Sequence, residues 1–197
     1  GLGDVYKRQD DLYRDGTLFY RKYFFVTDVP GTRRMLWFGG AYMDTTVFVN
    51  GTEVGQWKYG YTSFWFDITD ALHEGQNEVL VRCNLRHPNS RWYSGAGLYR
   101  NVELWEASDL HLMPDGLYVA AKEGDNGAWT VAVTAEAGSV TAASTGHTLT
   151  LHLTDDNGSL LGTAAIPADA WAALPSPDGW RTGKETAIYK ASHLSLI

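Results

Sequence analysis

Residues 36–55 read LWFGGAYMDTTVFVNGTEVG, and the hairpin in their second half decides the fold class. Thr45, Val47 and Val49 alternate with Thr46 and Phe48, the two-residue period of a strand with one face buried. Asn50-Gly51 follows. Both residues tolerate positive φ, so the dipeptide closes a tight turn whose twist suits the flanking strands, and residues 53–58 return as the second strand. Asn50-Gly51-Thr52 also has the form of a glycosylation acceptor, but the turn accounts for the same three residues. Upstream, residues 33–38 (RRMLWF) read as a strand that stops at Gly39-Gly40.

The same texture extends in both directions. Residues 18–26 (LFYRKYFFV) read as a strand rich in aromatics, joined to 33–38 by the turn Asp28-Val29-Pro30-Gly31. Residues 63–68, 78–85 and 98–107 read as further strands, the last two separated by a polar loop. Thr69 or Asp70 can cap a single helical turn, with Leu72 tucked under the sheet. About eight short strands with regular turns and no helical period indicate a β-sandwich, of jelly-roll type. Near Ser108 the aromatics thin out while Ala, Thr and Gly rise. Residues 110–113, 117–121, 129–134, 148–154 and 160–166 form a second set of strands, in which Leu149, Leu151 and Leu153 face away from Thr150 and His152. Asp155-Asp156-Asn157-Gly158 closes a hairpin there. This second set suggests an immunoglobulin-like β-sandwich. Beyond Pro167 no strand period is visible, and a helical turn with loops is expected. The architecture is therefore all-β: a jelly-roll β-sandwich over 10–107, then an incomplete immunoglobulin-like β-sandwich over 108–193.

The two ends have a different character. Residues 1–9 (GLGDVYKRQ) back-translate to codons resembling a transposon adapter used in sequencing, and residues 194–197 (LSLI) to its reverse complement. Both are expected to be adapter scars, outside the fold. The net charge of −7 argues against nucleic acid, whose phosphates reward clustered Lys and Arg. No apolar run approaches the roughly 20 residues of a membrane-spanning helix, so no membrane partner is expected. Cys83 is the one cysteine, which excludes a disulfide within the chain, and its place in EVLVRCNL makes it a small buried residue rather than a nucleophile. The six His are scattered, with no pair at metal-ligand spacing. Eight Trp and eleven Tyr serve either a sandwich core or the stacking of sugar rings.

Five segments occur in an order that resembles glycoside hydrolase family 2, in its β-galactosidase-like branch. They are FYRKYF (19–24), LWFGGAYMDTTVFVNGTEVG (36–55), GYTSFWFDITDAL (60–72), GQNEVLVR (75–82) and SRWYSGAGLYRNVELW (90–105). The resemblance implies an exo-acting, retaining β-glycosidase built as a sugar-binding jelly roll, an immunoglobulin-like domain and a (β/α)₈ barrel that is absent here. It implies that the two catalytic carboxylates sit on the barrel, about 5–5.5 Å apart as a retaining mechanism requires, so that no catalytic residue lies in this chain and the chain alone is inactive. Glu53, Glu74, Glu78 and Glu103 fall at turns or on solvent faces and are not assigned to catalysis. No cofactor is expected in the chain itself, while a metal ion in the barrel belongs to the family pattern. The expected partners are a β-linked glycoside, the chain's own barrel and, for the whole enzyme, further copies in a homo-oligomer.

In such enzymes a jelly-roll loop reaches the barrel mouth and helps to bind the terminal sugar. The matching loop is 87–95, HPNSRWYSG. Some β-galactosidases carry an aspartate just before its Trp; Ser90-Arg91 stand there instead, which leaves Asn89, Arg91 and Trp92 as candidate substrate contacts. Arg and Asn donate to hydroxyls and Trp offers a ring face, though the same loop could serve only to pack against the barrel. Arg100 reads as structural, bound to nearby carbonyls or to a carboxylate such as Asp67, and Asn50 and Gly51 read as turn residues. Within the family the resemblance puts β-galactosidase first and leaves β-glucuronidase as the alternative, since the groups that would pair a glucuronide carboxylate lie largely in the absent barrel. Two rival functions from other classes also remain open. A free-standing carbohydrate-binding module would bind sugar through residues 10–107 without a partner, and a purely structural sandwich would bind none.

Overall fold

A computed structural model describes residues 16–27, 30–86, 96–125, 127–139, 146–174 and 187–194. Chain contacts divide it into two compact units, with the boundary between Glu106 and Ala107. Among the described residues there is no α-helix, only strands and two 3-10 turns.

In the first unit, β1 (Gly16–Val26), β7 (Gly75–Leu85), β4 (Thr45–Val49) and β5 (Thr52–Trp57) form one antiparallel sheet in the order β1-β7-β4-β5. A second sheet has the order β6-β2-β9, from β6 (Phe64–Asp67), β2 (Thr32–Phe38) and β9 (Val102–Ser108). A short ribbon pairs β3 (Ala41–Tyr42) with β8 (Gly97–Leu98). The sandwich closes because each sheet offers an apolar face to the other. Val47, Val49, Val79, Val81 and Cys83 from the first sheet meet Leu36, Phe38, Phe64 and Phe66 from the second. Phe38, Val47, Val49 and Cys83 are fully buried, and a buried side chain of the Val or Phe class stabilises by about 1.5–3 kcal/mol. Phe38 and Phe64 stack across the β2–β6 pair with centroids 4.7 Å apart.

The Asn50-Gly51 turn has φ of 50° and 81°, the double positive φ that a two-residue hairpin needs. Asn50 also does more than turn the chain. Its Nδ2 donates to the Ala71 carbonyl (2.8 Å) and to Asn77 Oδ1 (2.7 Å), and its Oδ1 accepts from the Glu78 amide at 2.9 Å. Asn77, 1% exposed, completes this network by donating to the carbonyls of His73 and Gly75. The turn at Thr69–Ala71 differs from expectation. It is a 3-10 turn with no side-chain cap from Thr69 or Asp70; instead Asp67 Oδ1 accepts the Thr69 amide at 2.9 Å, the local side chain-to-backbone bond that short carboxylates favour.

The second unit places β10 (His111–Glu123), β11 (Trp129–Ser139), β15 (Ala187–Leu194) and β14 (Ala172–Leu174) in one sheet, in that order. A separate hairpin pairs β12 (Thr148–Thr154) with β13 (Leu160–Pro167). Its buried residues include Met113, Val131, Val133, Ala135, Ala164 and Ile166. The stretches 110–113 and 117–121 are one strand, β10, broken by a register shift between Leu112 and Leu117 where Asp115 has a φ of 58°. Strand β15 falls where no strand was expected and extends to Leu194, inside the stretch read as an adapter scar. AIYKASHL has a weak alternation, and its pairing with β11 from Ser139 to Ala132 supplies the order that its own sequence does not signal. Residues 1–9 lie outside the described residues.

Candidate functional site

Antiparallel pairing gathers the chemistry-bearing segments at one end of the first unit. Gly16 opposes Leu85, Thr45 opposes Cys83 and Trp57, and Phe38 opposes Phe64. The β3–β8 ribbon, the β5–β6 loop and the lead-in to β9 therefore share that end.

Hydrogen bonds fix the backbone there. Asp44, with a φ of 46°, accepts Gln56 Nε2 on Oδ1 at 2.7 Å and Asn84 Nδ2 on Oδ2 at 3.3 Å. The Asn84 amide donates to the Met43 carbonyl at 2.9 Å, and the Gly39 amide to the Asn101 carbonyl at 2.9 Å. Above this frame sits a group of tyrosines. Tyr42 meets Tyr61 edge-on at 5.1 Å, and Tyr61 meets Tyr59 at 5.7 Å. Tyr99 Oη donates to the Gly60 carbonyl at 2.8 Å. Two glycines make this closeness available. A Cβ on Gly60 would lie 2.1 Å from the Tyr42 ring, and one on Gly40 would lie 2.5 Å from Tyr99.

Beside the tyrosines is a cleft of about 490 Å³ lined by Trp37, Gly39, Ser63, Tyr99, Arg100, Asn101 and Glu103. Trp37 stacks on Trp105 with centroids 5.7 Å apart and planes 11° from parallel. Trp105 Nε1 in turn donates to Glu103 Oε2 at 2.9 Å. The buried Trp37 Nε1 has no hydrogen-bond partner among the described residues. Arg100 lies two residues before β9, is exposed, and holds its guanidinium carbon 5.5 Å from the Tyr99 ring centroid. Among the described residues its lining combines aromatic walls with a cation, a carboxylate, an amide and a hydroxyl.

Asn89, Arg91 and Trp92 lie outside the described residues. Arg100 Nη1 donates to the Gly39 carbonyl at 3.4 Å, so a carbonyl takes the place of Asp67. Asp67 is instead bound by Arg33, the basic residue one strand over in the same sheet. Sequence reading also passed over Arg34. It is 5% exposed, donates to Glu106 Oε1 at 2.6 Å and to the Thr27 carbonyl at 2.8 Å, and so ties β2 to β9. Trp37 and Tyr99 were likewise not singled out, although each lies inside a segment that carried the resemblance, and Glu103 was named only as a carboxylate without a catalytic role. Cys83 has no exposed surface, and burial pushes its thiol up from the ordinary range despite a contact with Thr45 Oγ1 at 3.7 Å. That is the state of a packing residue. No group of three or more His, Cys, Asp and Glu residues fit to hold a metal occurs among the described residues.

No family model matches the chain. Among known proteins, it is 42% identical over 113 residues to β-galactosidase BoGH2A of Bacteroides ovatus, a match spanning 56% of this chain and 13% of that protein. It is 31% identical over 154 residues to a putative β-glucuronidase of Formosa agariphila, spanning 77% of this chain and 15% of that one. Among solved structures, a glycosyl hydrolase family 2 member from Bacteroides cellulosilyticus superposes with a TM-score of 0.71 at 27% identity, covering 92% of this chain and 24% of that one. A putative β-galactosidase from Bacteroides fragilis gives a TM-score of 0.72 at 24% identity, over 93% of this chain and 28% of that one. The chain therefore spans less than a third of each of these relatives.

Proposed function

Since the chain belongs to the family 2 glycoside hydrolases, we propose that it is the amino-terminal region of a retaining exo-β-glycosidase, specifically a β-galactosidase. In this reading hydrolysis is performed by a pair of carboxylates on a barrel domain that the chain does not contain. One attacks the anomeric carbon while the other protonates the leaving oxygen, which requires a separation of about 5–5.5 Å. The first unit positions the terminal sugar from outside the barrel, through the loop that carries Asn89, Arg91 and Trp92. The observation that carries the choice of galactoside is the 42% identity to a β-galactosidase across 113 residues. The second reading, a β-glucuronidase, is favoured by the longer match of 154 residues at 31% identity. The whole enzyme would act on β-linked glycosides, would join this chain to its barrel, and would assemble as a homo-oligomer. Any metal ion would belong to the barrel.

The test is an assay of two polypeptides with chromogenic β-galactoside and β-glucuronide. One is the 197-residue chain; the other is the product of the uninterrupted reading frame that contains it. The expected result is galactoside turnover by the longer product and none by the 197-residue chain. Turnover of glucuronide alone would replace the first reading with the second. Turnover by the 197-residue chain, or a reading frame without a barrel, would overturn both.

A further inference from the structure

The hairpin turn at Asn50-Gly51 carries a reactive pairing that the proposed function does not use. Asn is a thermolabile residue, and a Gly after it puts no side chain in the way of attack by the next backbone nitrogen. We propose that Asn50 is a spontaneous deamidation site held shut by the fold: the Asn50–Asn77 network keeps the side-chain amide off the Gly51 nitrogen, unfolding releases it, and the acid that forms cannot rebuild the network.

The chemistry needs only water. The Gly51 backbone nitrogen attacks the Asn50 side-chain carbonyl carbon, and the new C–N bond closes a cyclic imide as the bond to the amide nitrogen breaks. The Gly51 proton goes to that nitrogen, which leaves as ammonia. Water then opens the imide at either carbonyl and leaves aspartate or isoaspartate.

Burial does not prevent this reaction. Asn50 and Gly51 are both exposed, and a Cβ on Gly51 would meet nothing within 4 Å. The protection is geometric. Ring closure requires Cγ to swing onto the Gly51 nitrogen, but the φ of 50° puts Asn50 in left-handed backbone, where the following nitrogen points away from the residue's own Cβ. The side chain is also held on the other side. Both amide hydrogens are in use, to the Ala71 carbonyl at 2.8 Å and to Asn77 Oδ1 at 2.7 Å, while Oδ1 takes the Glu78 amide at 2.9 Å. The Asn50 backbone amide adds a bond to the Glu78 carbonyl at 2.9 Å.

The chain contains its own comparison. Asn157-Gly158 is the same dipeptide at another exposed turn. Asn157 is not in left-handed backbone, and among the described residues its side-chain amide bonds the adjacent Asp156, at 3.3 Å. The product at position 50 is damaging because a carboxylate only accepts: the Ala71 carbonyl loses its donor, and Asn77 Oδ1 faces another acceptor. Each visit to the unfolded state thus converts part of the chain to a form that refolds poorly, which makes unfolding irreversible by a chemical step.

The folded 197-residue chain and the same chain in concentrated urea are held in one mildly alkaline buffer, and peptide mapping by mass spectrometry follows amide loss at Asn50 and Asn157. In urea the two sites should react at comparable rates. In the folded chain Asn50 should be slower than Asn157 by at least about tenfold, because its reaction waits for local opening. Equal rates in the folded chain would overturn the proposal, as would an Asn50 rate that urea does not raise. Asn50→Asp, one of the two products, should have a lower urea midpoint than the parent; an equal midpoint would overturn the claim that the acid cannot rebuild the network. The rate comparison uses the parent chain and does not depend on that variant folding.

Discussion

Replacing Gly97 by Ala tests whether the β3–β8 ribbon sits as tightly on the first sheet as the structure places it. Gly97 has a φ of +80°, and a Cβ there would lie 1.9 Å from Tyr20 Oη, 2.9 Å from Tyr20 Cζ and 3.1 Å from Leu18 Cδ1. Two costs follow. A non-glycine residue in left-handed backbone costs about 1–2 kcal/mol. Forcing a methyl group against packed neighbours costs about 1–3 kcal/mol more. The whole substitution should therefore destabilise by about 2–5 kcal/mol, a large share of the 5–15 kcal/mol that holds a typical domain folded. The second cost depends on one oxygen, which allows the two to be separated. In a Tyr20→Phe background the atom at 1.9 Å is gone, and the remaining contacts need only small shifts. Tyr20→Phe alone should cost about 1 kcal/mol or less, since its Oη accepts the Leu98 amide only at 3.4 Å. Gly97→Ala in that background should then cost only the backbone share, giving a coupling energy of about 1–3 kcal/mol. Urea denaturation followed by tryptophan fluorescence measures all four proteins. Equal costs of Gly97→Ala with and without the Tyr20 hydroxyl would refute the close approach, and a neutral Gly97→Ala would refute the ribbon's geometry altogether.

Other substitutions probe the rest of the molecule. Asn77→Ala removes the acceptor of the His73 amide, the donor to the His73 and Gly75 carbonyls and one of the two acceptors of Asn50 Nδ2, and should lower stability by about 2–4 kcal/mol in the same denaturation assay. Asn77→Asp should be nearly as harmful, because a carboxylate cannot donate to the His73 and Gly75 carbonyls. Cys83 should resist Ellman's reagent in the folded chain and react at once in urea, as its full burial requires. Its raised folded pKa has a definite sign: stability is unaffected below the ordinary thiol value, about 8.5, and falls as pH climbs from there toward the folded value. Cys83→Ala should remove that part of the alkaline slope in thermal melts. Asp155 accepts the Ser159 amide at 2.7 Å and the Asn157 amide at 2.9 Å, bonds that hold its carboxyl below the ordinary range. An NMR titration should find its midpoint under the usual value of about 3.9, with both amides shifting in step. The stabilisation is present above the unfolded value and is lost as pH falls through the folded one.

Strand β7 was legible because burial there is one-sided. It has its odd residues from Asn77 to Leu85 buried and its even ones less so, and that alternation is written directly in GQNEVLVRCNL. Thr45–Val49 and Thr148–Thr154 were read with the bounds they have, each ending at a turn whose residues demand it. Strand β15 was not legible, since small and polar residues in AIYKASHL carry little periodic signal and the strand exists through its pairing with β11. Strand β10 was split in two for the opposite reason. Pro114, Asp115 and Gly116 are turn residues by composition, yet here they form an irregularity inside one strand.

The cleft was harder to see than any strand, because each of its residues has an adequate structural reason to be where it is. Trp37 belongs to β2 and stacks on Trp105, Arg100 bonds a carbonyl, and Glu103 braces an indole. No local pattern marks them, and the segments 37–39, 63 and 99–103 meet only once β2, β6 and β9 are laid side by side. What the sequence does carry is the permission for that meeting. Gly39 and Gly40 interrupt an aromatic run at the place where a side chain would strike Trp37, Arg100 or Tyr99. A Gly-Gly pair at a strand end is ordinarily read as a turn signal. Here the contacts that a Cβ would make show the pair to be a space reserved beside two aromatic rings, so Gly39→Ala should narrow the cleft by a few tenths of an ångström while leaving the β2–β6 pairing intact. A Gly39→Ala chain as stable as the parent, with unchanged tryptophan fluorescence, would show that the close approach of Trp37 and Arg100 to Gly39 is not needed.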